Sequence, residues 1–333
     1  MKRPTLAVAA LLVAACLVAT GGMATPKRQF RVGFVTFAGV VPTARTLEGQ
    51  ALAGFLRADK RLGINGRVVF VGPTQDPVRA LAGLARQDYD LVISSIPFEE
   101  PPMIAARQFP GVRFLITDAP NPPGHRLKNV ERSVYRAEEA GYLAGYLAAL
   151  MESRTSGKHV ISAVGGVPFP GVDRWIVGYR AGAIRGDPRV VVRIDYSKNF
   201  GNPAKCKRVA RSQIAAGSGV VFNVSGACGI GALSAAKEEG VWGVGVDIDQ
   251  SYLGKHILTS AVIRTDNGVF EMVRRLVRGT FKTGGDAVFD LRGGYAGLGQ
   301  INKKVPPAFL RRLDRIHDQI VAGKIKVPRL ATR

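Results

Sequence analysis

The sequence predicts an α/β protein of two doubly wound parallel-sheet lobes joined by a hinge. Three observations predict it. Strand-length apolar runs alternate with helix-length segments twice over, once before residue 120 and again after residue 126. The runs are apolar almost throughout, as strands covered on both faces are. Between the two series stands Asn121-Pro122-Pro123-Gly124, a strong chain breaker. After it comes 129–151 (NVERSVYRAEEAGYLAGYLAALM), which opens as a strand and closes as a helix. That stretch is read as the first unit of the second lobe.

The first series begins with a strand over 30–36 (FRVGFVT), a loop to 42, and a helix over 43–60 with Leu47, Ala51, Gly54 and Phe55 inward. A strand at 67–71 follows. Asp76-Pro77 opens the next helix, with proline suited to a first turn. Strands at 89–94 (YDLVIS) and 112–117 (VRFLIT) flank a helix at 101–108. In 129–151, Gly141, Gly145 and Ala149 recur every fourth residue, leaving one helix flank bare. Each interior glycine costs about 1 kcal/mol against alanine, so close approach of another backbone is expected to offset it. The second series has strands at 159–164, 190–196, 219–224 and 242–246, with helices at 171–183, 203–215 and 226–239 between them. Beyond Asp247 come a strand (257–263), a helix (269–277), a Gly-rich passage of short strands and turns (284–299) and an amphipathic helix (306–323). Phe309, Leu313, Ile316 and Ile320 fall on one face of that last helix. The expected division is 30–120 with 250–283 in the first lobe and 126–247 with 284–328 in the second. Hinge crossings are expected near 120–126 and 247–251.

Residues 1–24 read as a leader: Lys2 and Arg3, then an apolar core at 6–15 too short to span a bilayer. Two exits compete. Val13-Ala14-Ala15-Cys16 resembles a lipidation box ending at Cys16, and Gly22-Met23-Ala24 suits ordinary cleavage. Both imply export, either periplasmic or extracellular or lipid-anchored at the cell membrane. The net charge is +22, dispersed in short runs. A solvated basic surface explains it first and attraction to anionic lipid second. Nucleic acid is not an expected partner, since no recognition motif accompanies the charge. Cys206 and Cys228 remain as a pair, either bridged in an oxidising compartment or free and buried. No zinc spacing occurs, and the histidines are scattered at 125, 159, 256 and 317. Neither metal nor cofactor is expected.

Ligands of open parallel sheets lie beyond the carboxyl ends of the strands. Here those ends are Phe37, Ser94-Ser95, Asp118, Gly165-Gly166, Ser225-Gly226 and Asp247. In Asp247-Ile248-Asp249-Gln250 a carboxylate can accept two hydrogen bonds from ligand hydroxyls, or can cap a turn. Gly226-Ala227-Cys228-Gly229-Ile230-Gly231 matches neither G-x-G-x-x-G nor a phosphate loop, and reads as a tight turn exposing backbone N–H groups. Trp175 suits either the core or an aromatic face on the cleft. The candidate ligand set is Phe37, Thr43, Ser94, Ser95, Phe98, Trp175, Gly226, Asp247, Asp249 and Arg264. No catalytic constellation is visible, so the chain is read as a binding protein rather than an enzyme.

Five blocks in order resemble a known family. They are Tyr89-Asp90-Leu91-Val92-Ile93 with Phe98 and Phe109-Pro110-Gly111-Val112-Arg113-Phe114; the stretch 129–151; Gly165-Gly166-Val167-Pro168 with Gly178-Tyr179-Arg180-Ala181-Gly182-Ala183; Gly245 through Gln250 with Leu258-Thr259-Ser260; and Ile320 through Pro328. Together they resemble the basic membrane protein family of bacterial substrate-binding proteins, whose better-known members are purine-nucleoside receptors of ABC importers. The resemblance implies a periplasmic-binding-protein type I-like fold, a small-molecule ligand, permease subunits as partners, a membrane surface if Cys16 is lipidated, and a monomer. A sensory or regulatory use of the same cleft is the alternative. Family members usually carry an Asp, a Phe and an Asn in the first loop and helix. Here that region reads Val41-Pro42-Thr43-Ala44-Arg45-Thr46-Leu47-Glu48. Leu233 stands where an aromatic is usual, and Ile263 where a lysine is. Asp247 is retained.

Overall fold

The computed structural model describes residues 28–39, 41, 45–95, 99–119, 126–155 and 158–329. The leader with Cys16, the loop residue Thr43, Phe98 and most of the expected crossing at 120–126 lie outside them. The elements run β1 (Arg31–Phe37), α1 (Leu47–Leu62), β2 (Asn65–Val71), α2 (Pro77–Ala85), β3 (Leu91–Ser94), α3 (Glu100–Gln108), β4 (Arg113–Thr117), β5 (Val130–Tyr135) and α4 (Ala137–Thr155). They continue β6 (Val160–Gly165), α5 (Pro170–Gly186), β7 (Val191–Tyr196), α6 (Pro203–Ala215), β8 (Val220–Val224), α7 (Gly229–Glu238), β9 (Trp242–Asp247), β10 (Ile257–Ile263), α8 (Thr265–Val277), β11 (Asp286–Phe289), β12 (Ala296–Leu298) and α9 (Pro307–Val321).

The described strands form two six-stranded sheets, β11-β5-β4-β3-β1-β2 and β12-β10-β9-β8-β6-β7. All neighbours in the first are parallel. In the second only β12 runs antiparallel, against β10. α1 and α2 start at side-chain caps. Thr46 Oγ1 accepts the Gly49 N–H at 3.0 Å, and Asp76 Oδ1 accepts that of Val78 at 2.9 Å.

The bare flank of α4 finds its partner in α5, which has a glycine row of its own. A Cβ on Gly141 or Gly145 would collide with the carbonyl of Trp175 or Tyr179. One on Gly178 or Gly182 would collide with that of Glu138 or Tyr142. Backbone therefore lies on backbone, and the two helices lock as a unit beneath the second sheet. Cys206 and Cys228 are bridged with their Cα atoms 5.6 Å apart, tying α6 to the turn before α7.

The sheets divide the chain differently from the expectation. β5 pairs with β4, so the strand half of 129–151 belongs to the first lobe and only its helix belongs to the second. Asn129 fixes this locally, donating to the carbonyls of Ala106, Phe109 and Val112 at 3.0 Å each. The expected placements of 250–283 and 284–328 hold for α8, β12 and α9 and are corrected for one strand each. β10 pairs with β9 in the second sheet, and β11 pairs with β5 in the first. α8 returns to α1, with Thr265 Oγ1 donating to the Leu47 carbonyl at 3.1 Å. The chain thus crosses between lobes at Arg136, at Arg264 and over 290–295, not near 120–126 or 247–251. The crossings are hydrogen-bonded side by side: Arg136 N–H to Phe289 O at 2.8 Å, and Arg264 N–H to Tyr295 O at 2.8 Å.

Candidate functional site

Two strand ends meet across the lobes. Asp118 follows β4 in the first lobe and Asp247 ends β9 in the second. Both hold left-handed backbone, φ 53° and 65°, which aspartate tolerates better than most residues. Between them lies Arg174, from the second turn of α5 and 7% exposed. Its Nη2 donates to Asp118 Oδ1 at 2.7 Å and Oδ2 at 2.9 Å. Nη1 reaches the Tyr135 carbonyl at 3.3 Å, just before the first crossing, and Nε the Gly171 carbonyl at 3.3 Å. This guanidinium joins the two lobes at the base of the cleft.

Asp247 stands in contrast. Among the described residues none donates a hydrogen bond to its carboxylate. Burial pushes its pKa up to about 7; Asp118 and Glu48 repel its charge in the same direction, and Arg174 opposes them. Burial also raises the Asp118 carboxyl, against the pull of Arg174. Glu48 lies in the first turn of α1. Among the described residues whose charge acts on Asp247, two further carboxylates stand against one guanidinium that is already engaged. The cleft can accept hydrogen bonds from hydroxyl or amino groups of a small solute. Among the described residues no cluster of His, Cys, Asp and Glu is fit to hold a metal ion.

The other expected residues scatter. Asp249 is exposed and accepts from the Ser251 N–H and hydroxyl at 3.1 Å each, capping its own turn. Trp175 is 3% exposed, in the core against α4. Ser94 and Ser95 are buried in the first lobe; the Ser94 carbonyl accepts from Thr117 Oγ1 at 3.1 Å. Phe37 packs, half-buried, against the first lobe's core. Arg264 pairs with Asp266 at 3.1 Å and forms the second crossing. Gly226 (φ 57°) opens the disulfide-bearing turn beside Phe200. Leu233 and Ile263 are both core, 1% and 0% exposed. Aromatic surface at this rim of the second lobe comes instead from Phe169 and Phe200, 45% and 41% exposed, their rings edge to face at 6.0 Å.

Sequence reasoning named Asp118 only as a strand end and missed Arg174 and Glu48. In GVDRWIVGY an arginine beside a buried tryptophan reads as a solvated helix position. Only the pairing of lobes shows that it faces a carboxylate 56 residues upstream.

The sequence profile of the Bmp family, described as ABC transporter substrate-binding protein PnrA-like, matches residues 48–331. The chain belongs to this family. It is 28% identical over 262 residues (73% of this chain, 72% of the relative) to the ABC transporter nucleoside-binding protein BmpA of Lactococcus lactis subsp. cremoris. It is 27% identical over 261 residues (73% and 71%) to the CD4+ T-cell-stimulating antigen of Listeria monocytogenes. Among solved structures, an ABC transporter solute-binding protein of Aeropyrum pernix K1 superposes with TM-score 0.76 at 22% identity, over 90% of this chain and 94% of that one. A transcriptional activator of the comK gene from Bacillus halodurans reaches 0.73 at 18%, over 90% and 99%. The fold alone thus serves both transport and regulation; membership of the Bmp family makes this chain an ABC transporter substrate-binding protein.

Proposed function

We propose that this Bmp-family protein is exported and captures a hydroxyl-rich polar solute between its lobes for delivery to an ABC permease. The carrying observation is the Asp247 carboxylate, desolvated at a strand's carboxyl end, with Asp118 facing it from across the cleft and Arg174 of its own lobe beside it. Such a carboxylate accepts charge-assisted hydrogen bonds from paired hydroxyls. Closure of the lobes about Arg136, Arg264 and 290–295 then excludes water from the ligand. The absence of the usual aromatic, aspartate and asparagine from 41–48, together with a buried Leu233, favours a sugar-like solute over a nucleoside. A base would have to rest on Phe169 and Phe200. Titration calorimetry with adenosine, guanosine and inosine against D-ribose and D-arabinose tests the reading. A pentose should bind more tightly than any nucleoside. Micromolar or tighter binding of a nucleoside overturns the sugar-like preference. Asp247→Ala should weaken the true ligand more than tenfold, from about 1.5–3 kcal/mol per charged hydrogen bond lost. Unchanged affinity would remove Asp247 from the site.

A further inference from the structure

The amino ends of β5, β4, β3 and β1 lie side by side, because these strands are parallel neighbours. They form the pole of the first lobe turned away from the cleft. A concavity of about 510 Å³ opens there, between the end of α3 and the starts of β4 and β5. Arg107, Arg113 and Lys128 line it with no acidic residue among the lining. All three are exposed, and none has a carboxylate partner among the described residues. Neighbouring cations differ: Arg28 pairs with Asp90 at 2.8 Å and Arg126 with Asp286 at 3.9 Å. At the end of α3 it is Asn129 that takes the carbonyl of Ala106 and that of the C-cap residue Phe109.

The anchoring of the start of β1 is a separate observation. Arg28 Nη2 and the Arg31 N–H both hold Asp90, at 2.8 and 2.9 Å, fixing the start of β1 on this same pole. The 27 residues before Arg28 therefore join the lobe here. β1 and β4 stand two strands apart, roughly 10 Å. Were Cys16 lipidated, its tether would enter the lobe at this pole.

We propose that this pole binds the phosphate headgroups of anionic phospholipids through Arg107, Arg113 and Lys128. Three cations at a negative surface multiply binding by on the order of a hundredfold at low salt. Screening reduces the gain as the Debye length shortens to about 10 Å at 0.1 M.

The test is co-sedimentation of the full chain with phosphatidylglycerol-containing vesicles and with phosphatidylcholine vesicles, at low and high salt. Arg107→Glu/Arg113→Glu/Lys128→Glu is compared with Arg208→Glu/Lys303→Glu/Lys324→Glu, which changes net charge equally on the second lobe. The native chain should prefer phosphatidylglycerol in a salt-sensitive way. The first triple variant should lose at least about tenfold, and the second should retain most of the binding. Arg107→Gln/Arg113→Gln/Lys128→Gln, expected to fall between, covers failure of the reversal to fold. Equal loss in both reversal variants would reduce the effect to net charge and overturn the proposal. So would indifference to phosphatidylglycerol. Calorimetric binding of inorganic phosphate that depends on the three residues, with no vesicle binding, would make the concavity a free-anion site and equally overturn it.

Discussion

Asp247 shows how one side chain can make a cleft sensitive to pH. Its pKa near 7 lies above the ordinary 3.8, so the ligand-free cleft holds it largely protonated below neutrality. A carboxylate that must accept ligand hydroxyls works only when ionised. Affinity should therefore climb about tenfold per pH unit below 7 and level off above it, and Asp247→Asn should flatten the profile. A flat profile in the native protein would detach the site from this titration. The sign for stability is the reverse. The fold favours the protonated acid, so ionisation opposes the closed arrangement as pH rises from about 4 to 7. Thermal unfolding should show Asp247→Asn stabilised at pH 8, with the gain shrinking as pH falls toward 4. Arg174 works against this burden, drawing both aspartates toward ionisation. Arg174→Ala should leave Asp118 buried and unpaired, a loss of about 3–5 kcal/mol if the lobes stay closed. Opening is the cheaper relief, and small-angle scattering should report a more extended particle.

The α4–α5 pair sets the same contest at the scale of elements. Propensity says that Gly145→Ala gains about 1 kcal/mol in an isolated helix. Packing says that the new methyl meets the Tyr179 carbonyl, and overpacking costs about 1–3 kcal/mol or more. Packing should win, lowering the midpoint of chemical denaturation, whereas Ala at the open Gly83 should not. The bare flank was legible in the sequence because small residues at spacing four are a local pattern. The strands, too, were legible from their apolar runs, and one of them ends at Asp247 as read. What local pattern cannot show is which sheet a strand joins. β5 read as a strand and β11 only as part of a Gly-rich passage of short strands and turns, and their places follow from hydrogen bonds to one another across 154 residues. Arg174 and Glu48 were hidden for the same reason, since their roles arise only where two lobes meet. The disulfide was legible as a pair of cysteines, its closure depending on α6 and the 226–228 turn lying together. Replacing both cysteines by serine should cost about 3 kcal/mol, from release of a loop of 22 residues.

At the scale of the molecule, three crossings hydrogen-bonded side by side join the lobes. They also mean that neither lobe is a continuous piece of chain. A protein ending at residue 283 would lack β11, β12 and α9, and should show no cooperative unfolding transition by calorimetry. A sharp transition would show that the first lobe stands without its β11 edge. This threading bears on how the protein is made. The first sheet waits for Asp286–Phe289 and the second for Ala296–Leu298, both far downstream of most of the strands they join. Contacts so distant in sequence form slowly. Neither sheet can be completed in the growing polypeptide before residues 286–298 have left the ribosome, and a chain that completes its sheets so late is one that a secretion channel can still pass as an unfolded thread.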